Sequence, residues 1–313
     1  MLFNCLECNK DFESERSLHA HIKKHDLFLH DYYVKYFERK NLLTNELLPF
    51  KNKDSYFELD FEYLHQLYQW CEQADGVVVK EYIKDKLATR IVSRNLTYAP
   101  NEIELFTSFL PDIDIYRKFF KSYNYLCDEL SIKPLFNEKL IDNFWDQQVG
   151  SLNIITDTRE QEPLYFKNQT VEKLDIGDYG IRENFDYTFA DRKSDQDFKA
   201  TLSKDNLKRF EKELLRARSI SCYIFVVIES DIYNMEDLNK KSYHKSNLKY
   251  IYHNMRELQH GYKDCCQFIF TGSRKNSEDL IPLLLHSGKK IWKTDMQYYI
   301  NKKYGLGIRN TKK

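Results

Sequence analysis

The stretch GDYGIRENFDYTFADRKSDQD, residues 177–197, concentrates side chains that could hydrolyse a phosphate ester. Asp178 follows a tight turn. Asp191 and Lys193 are two residues apart in a predicted strand, so their side chains should point to one face. Such a face cannot form apolar core, because burying unpaired charges is prohibitively costly. The pattern therefore indicates either a cluster of ion pairs or a metal site.

The chemistry of a metal site follows from these three side chains. Carboxylate oxygens are ligands that Mg²⁺ and Mn²⁺ prefer, and Mg²⁺ is usually held by one or two carboxylates, water and a substrate phosphate. A lysine beside the ion can orient or help to deprotonate the attacking water, while the ion stabilises charge on the phosphate. Asp178, Asp191 and Lys193 are thus candidates for phosphodiester hydrolysis.

The elements that must position these residues begin near residue 152. From there the pattern predicts three strands, a long helix over 194–219, and then two strands alternating with two helices. The second and third strands are expected to form a hairpin that carries the acidic residues. Strands that alternate with helices imply a mixed sheet with helices packed on its faces.

A family resemblance rests on the strings IITDTREQEPLYF, GDYGI and ADRKSDQD. Together they resemble the catalytic core of XPF-type structure-specific nucleases, whose pattern is V-D-x-R-E, then G-D-Y, then E-R-K-x3-D. The matching positions are Asp157, Arg159, Glu160, Gly177, Asp178, Arg192, Lys193 and Asp197. Asp191 departs from the pattern, because the family usually has glutamate there. The resemblance covers about residues 152–290 and implies an α/β, restriction-endonuclease-like nuclease domain.

The resemblance also implies a ligand set. Asp178, Asp191 and the backbone carbonyl of Arg192 would bind Mg²⁺ or Mn²⁺, and Lys193 would lie at the attacking water. Aspartate in place of glutamate at position 191 is one methylene shorter and can still bind Mg²⁺. An altered metal preference or a slower rate is therefore an open alternative.

Three further positions of this pattern have two expected roles each. Asp157 would assist the metal or hold Arg159, whose guanidinium can grip a phosphate through two hydrogen bonds. Asp197 follows Ser194 as S-x-x-D, so it is expected to cap the next helix, to support the catalytic cluster, or to do both. Glu229 ends an apolar strand and would either face the site or be solvated.

The first 25 residues carry a second motif, CLECNKDFESERSLHAHIKKH. Two residues separate Cys5 from Cys8, which gives the spacing C-x2-C, and His21 and His25 lie one helical turn apart. Two thiolates on a hairpin and two imidazoles on a helix can close a tetrahedron around zinc. The segment resembles the two-cysteine two-histidine zinc finger family, which implies a structural Zn²⁺.

The finger has a poor set of base-reading residues. In that family, base contacts come from helix positions that correspond here to Ser14, Ser17 and Ala20, with Arg16 nearby. None of the three makes the arginine–guanine or asparagine–adenine pairs that discriminate bases. Non-specific anchoring to DNA, contact with a protein, and a purely structural role all stay open.

Residues 28–150 are predicted to be mostly helical, with breaks at TYAPNE and SFLPDID. Within them, residues 111–136 are similar to short helical repeats that accompany phage and homing endonucleases, although Lys121 stands where that pattern has glycine. The region is therefore either a packing domain or a DNA-binding module. We predict a zinc finger over 1–27, this region over 28–150, and a nuclease domain with a basic C-terminal segment over 151–313.

Charge is distributed unevenly along the chain. Residues 1–150 hold 19 basic and 25 acidic residues, whereas residues 151–313 hold 29 and 23. Basic residues interleaved with aromatic ones suit a sugar–phosphate backbone and splayed bases, with an ordinary solvated face as the alternative. The candidate DNA-binding residues are Arg16, Lys208, Arg209, Arg216, Lys245 and Lys249.

Composition bounds the cellular setting. Seven cysteines without framework spacing fit a reducing compartment. No apolar run is long enough to span a membrane, and the N-terminus lacks the features of a secretory signal. We expect an intracellular protein without a membrane partner, in the cytoplasm (the host's, if phage-encoded) or in a eukaryotic nucleus.

The function predicted from the sequence is that of a metal-dependent DNA endonuclease. Its DNA would be duplex or branched, and the enzyme would be structure-specific or associated with phage. XPF-type proteins normally carry a helix-hairpin-helix module and dimerise; no such module is found here, so a homodimer stays an open alternative. The rival hypotheses are a non-catalytic DNA-binding or scaffolding protein and an RNA substrate.

Overall fold

The computed structural model describes residues 3–182 and 187–307. The chain forms two compact units, Met1–Lys80 and Glu81–Lys313. No helix within the described residues combines the length and the apolarity that crossing a membrane requires. The three domains predicted from the sequence, 1–27, 28–150 and 151–313, stay a prediction.

The first unit begins with a ββα motif and continues with helices. Its elements are β1 (Phe3–Asn4), β2 (Asp11–Phe12), α1 (Glu15–Ile22), a 3-10 turn (Lys23–His25), α2 (Leu29–Tyr36), α3 (Lys53–Glu58) and α4 (Leu64–Gln73). Leu18 and Ile22 of α1 share one core with Tyr32 and Tyr33 of α2 and Tyr56 of α3. The finger is thus built into a larger hydrophobic core.

A helical segment begins at Gly76, among the last residues of the first unit, and continues into the second. Its elements are α5 (Gly76–Ser93), β3 (Tyr98–Ala99), α6 (Glu102–Thr107), α7 (Ile113–Phe119), α8 (Tyr123–Glu129), β4 (Lys133–Pro134) and a 3-10 turn (Phe144–Asp146). Asn101, Asp112 and Ser122 each accept a backbone N–H and so cap α6, α7 and α8. The prolines at 100 and 111 lie directly before these caps, where the sequence predicted breaks.

The rest of the second unit is a six-stranded sheet with helices on both faces. Its elements are β5 (Ile154–Asp157), β6 (Gln169–Glu172), β7 (Tyr179–Ile181), β8 (Thr188–Lys193), α9 (Asp195–Thr201), α10 (Lys204–Ser219), β9 (Tyr223–Ile228), α11 (Met235–Lys241), α12 (Leu248–Gly261), β10 (Cys266–Phe270), α13 (Arg274–Ser287) and α14 (Met296–Tyr304). The strand order is β10-β9-β8-β7-β5-β6. β7 runs antiparallel to β5 and β8, whereas β8, β9 and β10 are parallel.

Strand β9 shows why helices cover both faces. Ile224, Val226 and Ile228 join the core beneath α9, α10 and α12. The alternate residues, among them Phe225 and Val227, join the core beneath α13 and α14. A strand that is apolar on both sides must be buried on both sides. This mixed α/β architecture, preceded by helices and a ββα finger, confirms the predicted fold class.

The single long helix predicted over 194–219 is wrong, because the helix breaks between α9 and α10. Leu202 is fully buried, and its carbonyl accepts a hydrogen bond of 2.9 Å from the buried Asn254 of α12. Asn206 donates to the carbonyl of Ala200 at 3.0 Å. Side chains that take over these carbonyls stabilise a helix end there, and one of them comes from another element.

The helical segment packs against α12 and α14 within the second unit. The Glu102 N–H donates to Asp295 at 2.8 Å, and Asn301 of α14 donates to the Glu102 carboxylate at 3.1 Å. Glu104 pairs with His260 of α12 at 2.6 Å. Because Glu102 and Glu104 are almost fully buried, these contacts fix the segment to the sheet's helices.

Candidate active site and zinc centre

A cleft of about 920 Å³ opens beside the strands β7 and β8. Most of the side chains that line it are polar or charged. They come from segments that are far apart in the sequence and include Arg159, Asp178, Lys193, Asp197, Arg209 and Glu213. A wet, charged cleft of this kind suits an anionic polymer better than a small apolar ligand.

Strand alternation places the candidate ligands on one face of the sheet. Tyr179 and Ala190 belong to the core beneath α13 and α14. Side chains alternate between faces, so Asp178 and Asp191, each next to one of these residues, point to the opposite face, towards α9 and α10. Lys193 lies on that face too, with its ammonium 5.9 Å from the centre of the Phe210 ring of α10.

Backbone hydrogen bonds fix the position of Asp178. Its N–H donates to the carbonyl of Ala190 at 2.9 Å, and its own carbonyl accepts from Asp157 at 2.8 Å. Its carboxylate accepts the N–H of Arg192 at 2.8 Å. The N–H and C=O of one strand residue point to the same side, so the Arg192 carbonyl also faces the edge that carries Asp178.

Asp191 and Lys193 form a close pair beneath the cleft. Lys193 Nζ donates to Asp191 Oδ1 at 2.7 Å. Asp191 Oδ2 also lies 2.7 Å from Nζ, but it is buried and makes no hydrogen bond of acceptable geometry to the described residues. An oxygen in this state has lone pairs available for a cation.

Burial and neighbouring charges shift the pKa values of Asp178 and Lys193. Burial first, and the neighbouring Asp191 charge second, raise the pKa of Asp178 to about 9. Burial opposes the charge of Lys193, but Asp191 and Asp178 together raise its pKa, which keeps the ammonium protonated. At neutral pH the raised pKa keeps a proton on Asp178, and a divalent cation bound by both carboxylates would replace that proton.

The structure brings Asp157 to Arg159 and keeps it out of the cleft. Asp157 Oδ1 accepts from Arg159 Nε at 2.6 Å, and Oδ2 accepts the N–H of Leu174 at 2.5 Å. Burial opposes the Asp157 charge, but the Arg159 hydrogen bonds lower the pKa of this carboxyl overall. The Arg159 side chain is 64% exposed and lines the cleft. Of the two predicted roles of Asp157, the geometry matches that of holding Arg159.

Arg192 has its side chain on the opposite face from Asp191. Its guanidinium pairs with Glu160 at 3.1 Å and with Glu229 at 3.0 Å. Glu229 also pairs with Arg274 at 3.2 Å, and Arg274 holds the carbonyls of Glu162 and Pro163 at 2.8 and 2.7 Å. These contacts connect β8 to the loop around residues 160–163, which forms one wall of the cleft. Glu229 therefore helps to hold that wall in place.

Asp197 lies at the start of α9, on the rim of the cleft. Its N–H donates to the Ser194 hydroxyl at 3.2 Å, and the same hydroxyl donates to the Asp197 carboxylate at 2.6 Å. The capping role predicted for S-x-x-D is thus present in the structure. The side chain also lines the cleft, so the second predicted role is compatible with the first.

Glu213 is a cleft residue that our sequence analysis missed. It lies on α10, between the buried residues Phe210 and Leu214. Burial first, and the Asp191 charge second, raise the pKa of Glu213, although the Gly177 N–H lowers it. The signal in the sequence was an acidic residue beside the apolar stripe of a helix in which basic residues outnumber acidic ones.

The predicted DNA-binding residues are dispersed over the surface. Arg209 lines the cleft, whereas Lys208 and Arg216 are exposed on α10 and are not among the residues that line it, and Arg216 lies 3.4 Å from Asp175. Lys245 is exposed before the start of α12, and Lys249 is exposed in the first turn of that helix. Arg16 is exposed on α1 of the first unit.

The four predicted zinc ligands come together in the first unit. The ligand atoms of Cys5, Cys8, His21 and His25 all lie within 4.8 Å of one another. Cys8 Sγ lies 3.2 Å from His21 Nε2, and Cys5 Sγ lies 3.7 Å from His25 Nε2. Zn–N and Zn–S bonds of tetrahedral sites place ligands roughly 3.3–3.8 Å apart, so the donor set and its spacing fit zinc.

Gly177 makes the close approach of Asp178 to β8 possible. Its φ is +68°, and a Cβ there would lie 3.0 Å from the Ala190 carbonyl oxygen. We expect Gly177→Ala to lower the free energy of unfolding by about 1–3 kcal/mol, since both the positive φ and the contact oppose a side chain. Urea denaturation measures this. The control Gly150→Ala, where a Cβ would meet nothing within 4 Å, should stay within about 0.5 kcal/mol of the wild type, and equal stability of the two variants would contradict the assignment.

The chain is similar to one protein family and to several solved structures. No curated protein matches it. The family described as "Zinc-finger double-stranded RNA-binding" matches residues 2–23. Together with the four clustered ligands, this match confirms the predicted finger.

Solved structures match half of the chain. XPF from Aeropyrum pernix is 21% identical over 50% of this chain and 76% of its own, with a TM-score of 0.34. XPF from Aeropyrum pernix in complex with DNA is 18% identical over 50% of this chain and 77% of its own, with a TM-score of 0.33. The chain is therefore similar to XPF structures over half its length and to a zinc finger family at its N-terminus.

Proposed function

We propose that this protein is a DNA endonuclease that hydrolyses phosphodiester bonds with Mg²⁺ or Mn²⁺. The observation that supports it most is the meeting of Asp178, Asp191 and Lys193 on one face of two adjacent strands, beneath a polar cleft. Carboxylates that face each other in a partly buried site repel unless a proton or a cation lies between them. Asp178 and Asp191 are therefore suited to binding a cation between them.

Asp178, Asp191 and the Arg192 carbonyl would hold the cation. Asp191 Oδ2 is buried without a hydrogen bond to the described residues, and burial together with the Asp191 charge raises the pKa of Asp178. Both observations fit oxygen ligation of a hard divalent ion. When bound, the ion would neutralise charge that develops on the scissile phosphate.

Lys193 would orient the attacking water and would not act as the base. Its neighbours raise its pKa, so the ammonium keeps its proton at neutral pH. A protonated amine beside Asp191 can donate to the water oxygen or to a phosphate oxygen. Hydrolysis would then form a P–O bond to the water oxygen and break the P–O bond to the departing oxygen; the proton that the attacking water loses would pass to solvent water, and the departing oxygen would take up a proton from solvent.

The remaining cleft residues would bind the strand. Arg159, held by the buried Asp157, presents an exposed guanidinium to the cleft, and Arg209 does so from α10. Both can contact phosphates. Lys208 and Arg216 would extend this contact along α10, and Asp197 would support the cluster while capping α9.

The zinc finger would anchor the enzyme to nucleic acid, with Arg16 on its exposed helix face. The proposed domains are a finger over 1–27, a helical region over 28–150 and a nuclease domain over 151–313, and a homodimer is compatible with them. We further propose an intracellular location, which rests on the cysteine usage, and an association with phage, which rests on the similarity of residues 111–136 to helical repeats that accompany phage and homing endonucleases.

A cleavage panel tests this function. The full chain, with zinc bound, is incubated with flap, fork and plain duplex DNA, each with Mg²⁺, Mn²⁺ or Ca²⁺. We expect cuts with Mg²⁺ or Mn²⁺ and few or none with Ca²⁺, whose larger and looser coordination supports such hydrolysis poorly. Metal-independent DNA binding without cleavage of any substrate would favour the non-catalytic scaffolding protein instead.

An RNA substrate is a second candidate, because the family that matches residues 2–23 is described as double-stranded RNA-binding. The proposed contacts of the cleft residues are with phosphate groups and not with the sugar, so their chemistry is compatible with either DNA or RNA. The same panel with RNA and hybrid duplexes separates the two. Cleavage that requires 2′-hydroxyl groups would favour RNA.

A further inference from the structure

The loop over residues 242–247, between α11 and α12, presents an aromatic ring to solvent. Tyr243 is 94% exposed, the largest exposure among the large hydrophobic side chains that the structure describes. Its ring contacts only the edge of His244 among the described aromatic rings, with centroids 4.9 Å apart. A single exposed ring is common on protein surfaces, so the backbone that carries this ring and the charges around it decide whether it suits a partner.

The loop holds this ring on a fixed backbone. Asn239 of α11 donates to the Ser246 carbonyl at 2.9 Å and accepts the Ser246 N–H at 2.9 Å. Ser242 donates to the His244 carbonyl at 3.0 Å. Asn247 then caps α12 by accepting the Tyr250 N–H. A ring carried by a pre-organised loop loses little conformational entropy on binding.

The ring lies in a basic stretch of chain. No acidic residue occurs between Asp237 and Glu257. Lys241, Lys245 and Lys249 are exposed and make no ion pair with any described residue. Uncompensated ammonium groups on both sides of an exposed aromatic ring are complementary to a chain of phosphates that carries accessible base faces.

The loop is connected to the candidate active site through α12. The buried Asn254 of this helix donates to the carbonyl of Leu202, at the junction of α9 and α10. Ala200, Thr201 and Asn206 at that junction line the cleft. Strands β8 and β9 are parallel, with Lys193 beside Ile228, so the connection that includes this loop leaves the sheet at the edge that carries Lys193.

We propose that Tyr243 is a stacking platform for an unpaired nucleotide and that the loop binds the single-stranded part of the substrate. The inference rests on the proposed function and deepens it, since it names DNA with unpaired bases as the substrate class. Bases inside a duplex already stack on their neighbours, so an exposed ring can engage only a base at a flap, a fork or a free strand.

Binding measured without cleavage tests this inference. The full chain is titrated, without added Mg²⁺ or Mn²⁺, into a labelled single strand and into the same sequence as a blunt duplex, and fluorescence anisotropy gives both Kd values. We expect Tyr243→Ala to weaken single-strand binding roughly 5- to 150-fold and to change duplex binding less than twofold. Tyr243→Phe, which keeps the ring, should bind like the wild type, whereas Tyr243→Leu should resemble Tyr243→Ala.

Wild-type affinity of Tyr243→Ala for the single strand, or an equal loss in Tyr243→Phe, would overturn the inference. The two proposals fail separately. If the wild type cuts no DNA but its single-strand binding depends on the Tyr243 ring, the nuclease proposal is wrong and the stacking platform stands. If the wild type cuts DNA and the ring is irrelevant to binding, the reverse holds.

Discussion

Asp178→Asn is expected to abolish cleavage and, at the same time, to stabilise the metal-free protein. We expect the rate to fall at least about 10³-fold, because the variant loses a charged ligand and the electrostatic stabilisation that depends on it. The free energy of unfolding should rise by about 1–2 kcal/mol at neutral pH, because asparagine avoids the cost of burying a carboxyl group that would otherwise ionise and, second, its repulsion by Asp191. Both changes follow from the same pair of facing carboxylates.

The gain in stability has a defined dependence on pH. The pKa of Asp178 is 3.8 in its ordinary state and about 9 in the folded protein. Folding therefore binds a proton between these values, and the wild type loses stability as pH rises through this window. Asparagine does not titrate, so the advantage of the variant should be absent below pH 4 and should grow towards pH 9.

Urea denaturation at several pH values and a cleavage assay with Mg²⁺ together check this prediction. Lys193→Met should also lose cleavage, without the gain in stability, because it leaves both carboxylates without their ammonium partner. Asp279→Asn is a matched control, since it changes an exposed aspartate of α13 that pairs only with Lys275 among the described ion pairs. Undiminished cutting by Asp178→Asn would remove the site assignment.

Local motifs made much of the candidate site predictable. The tight turn at Gly177, the spacing of Asp191 and Lys193, and the C-x2-C pair each depend on neighbours in sequence, and the structure has them at the expected elements. Strand alternation alone indicates that Asp191 and Lys193 share a face. These features need no knowledge of long-range packing.

Features that depend on distant partners were not predictable in the same way. Glu213 is recognisable as a cleft residue only once the face of α10 that packs under β8 is known. The helix break at Leu202 depends on Asn254, which lies 52 residues further along the chain. The ion pairs through Arg274, which fix the cleft wall, join a loop, two strands and a helix, so no periodic pattern marks them.

Removing zinc is expected to unfold the finger and to leave the sheet of the second unit folded. The finger's own core is small, and classical zinc fingers are unfolded without metal. Here Leu18 and Ile22 also share a core with α2 and α3, so we expect loss of zinc to loosen α1 through α3 together. The second unit has separate cores on both faces of its sheet, which do not include the ligands.

Cys8→Ser tests this prediction with a single change. The wild type should contain one zinc per chain, and the variant should contain much less, because a serine hydroxyl replaces a thiolate ligand. Thermal unfolding followed by circular dichroism should lose an early, zinc-dependent transition and keep the later one. His30→Ala, an exposed histidine close to the finger in sequence, should keep one zinc and both transitions. A full zinc content in Cys8→Ser would contradict the assignment of the ligands, because the three remaining side chains would then suffice.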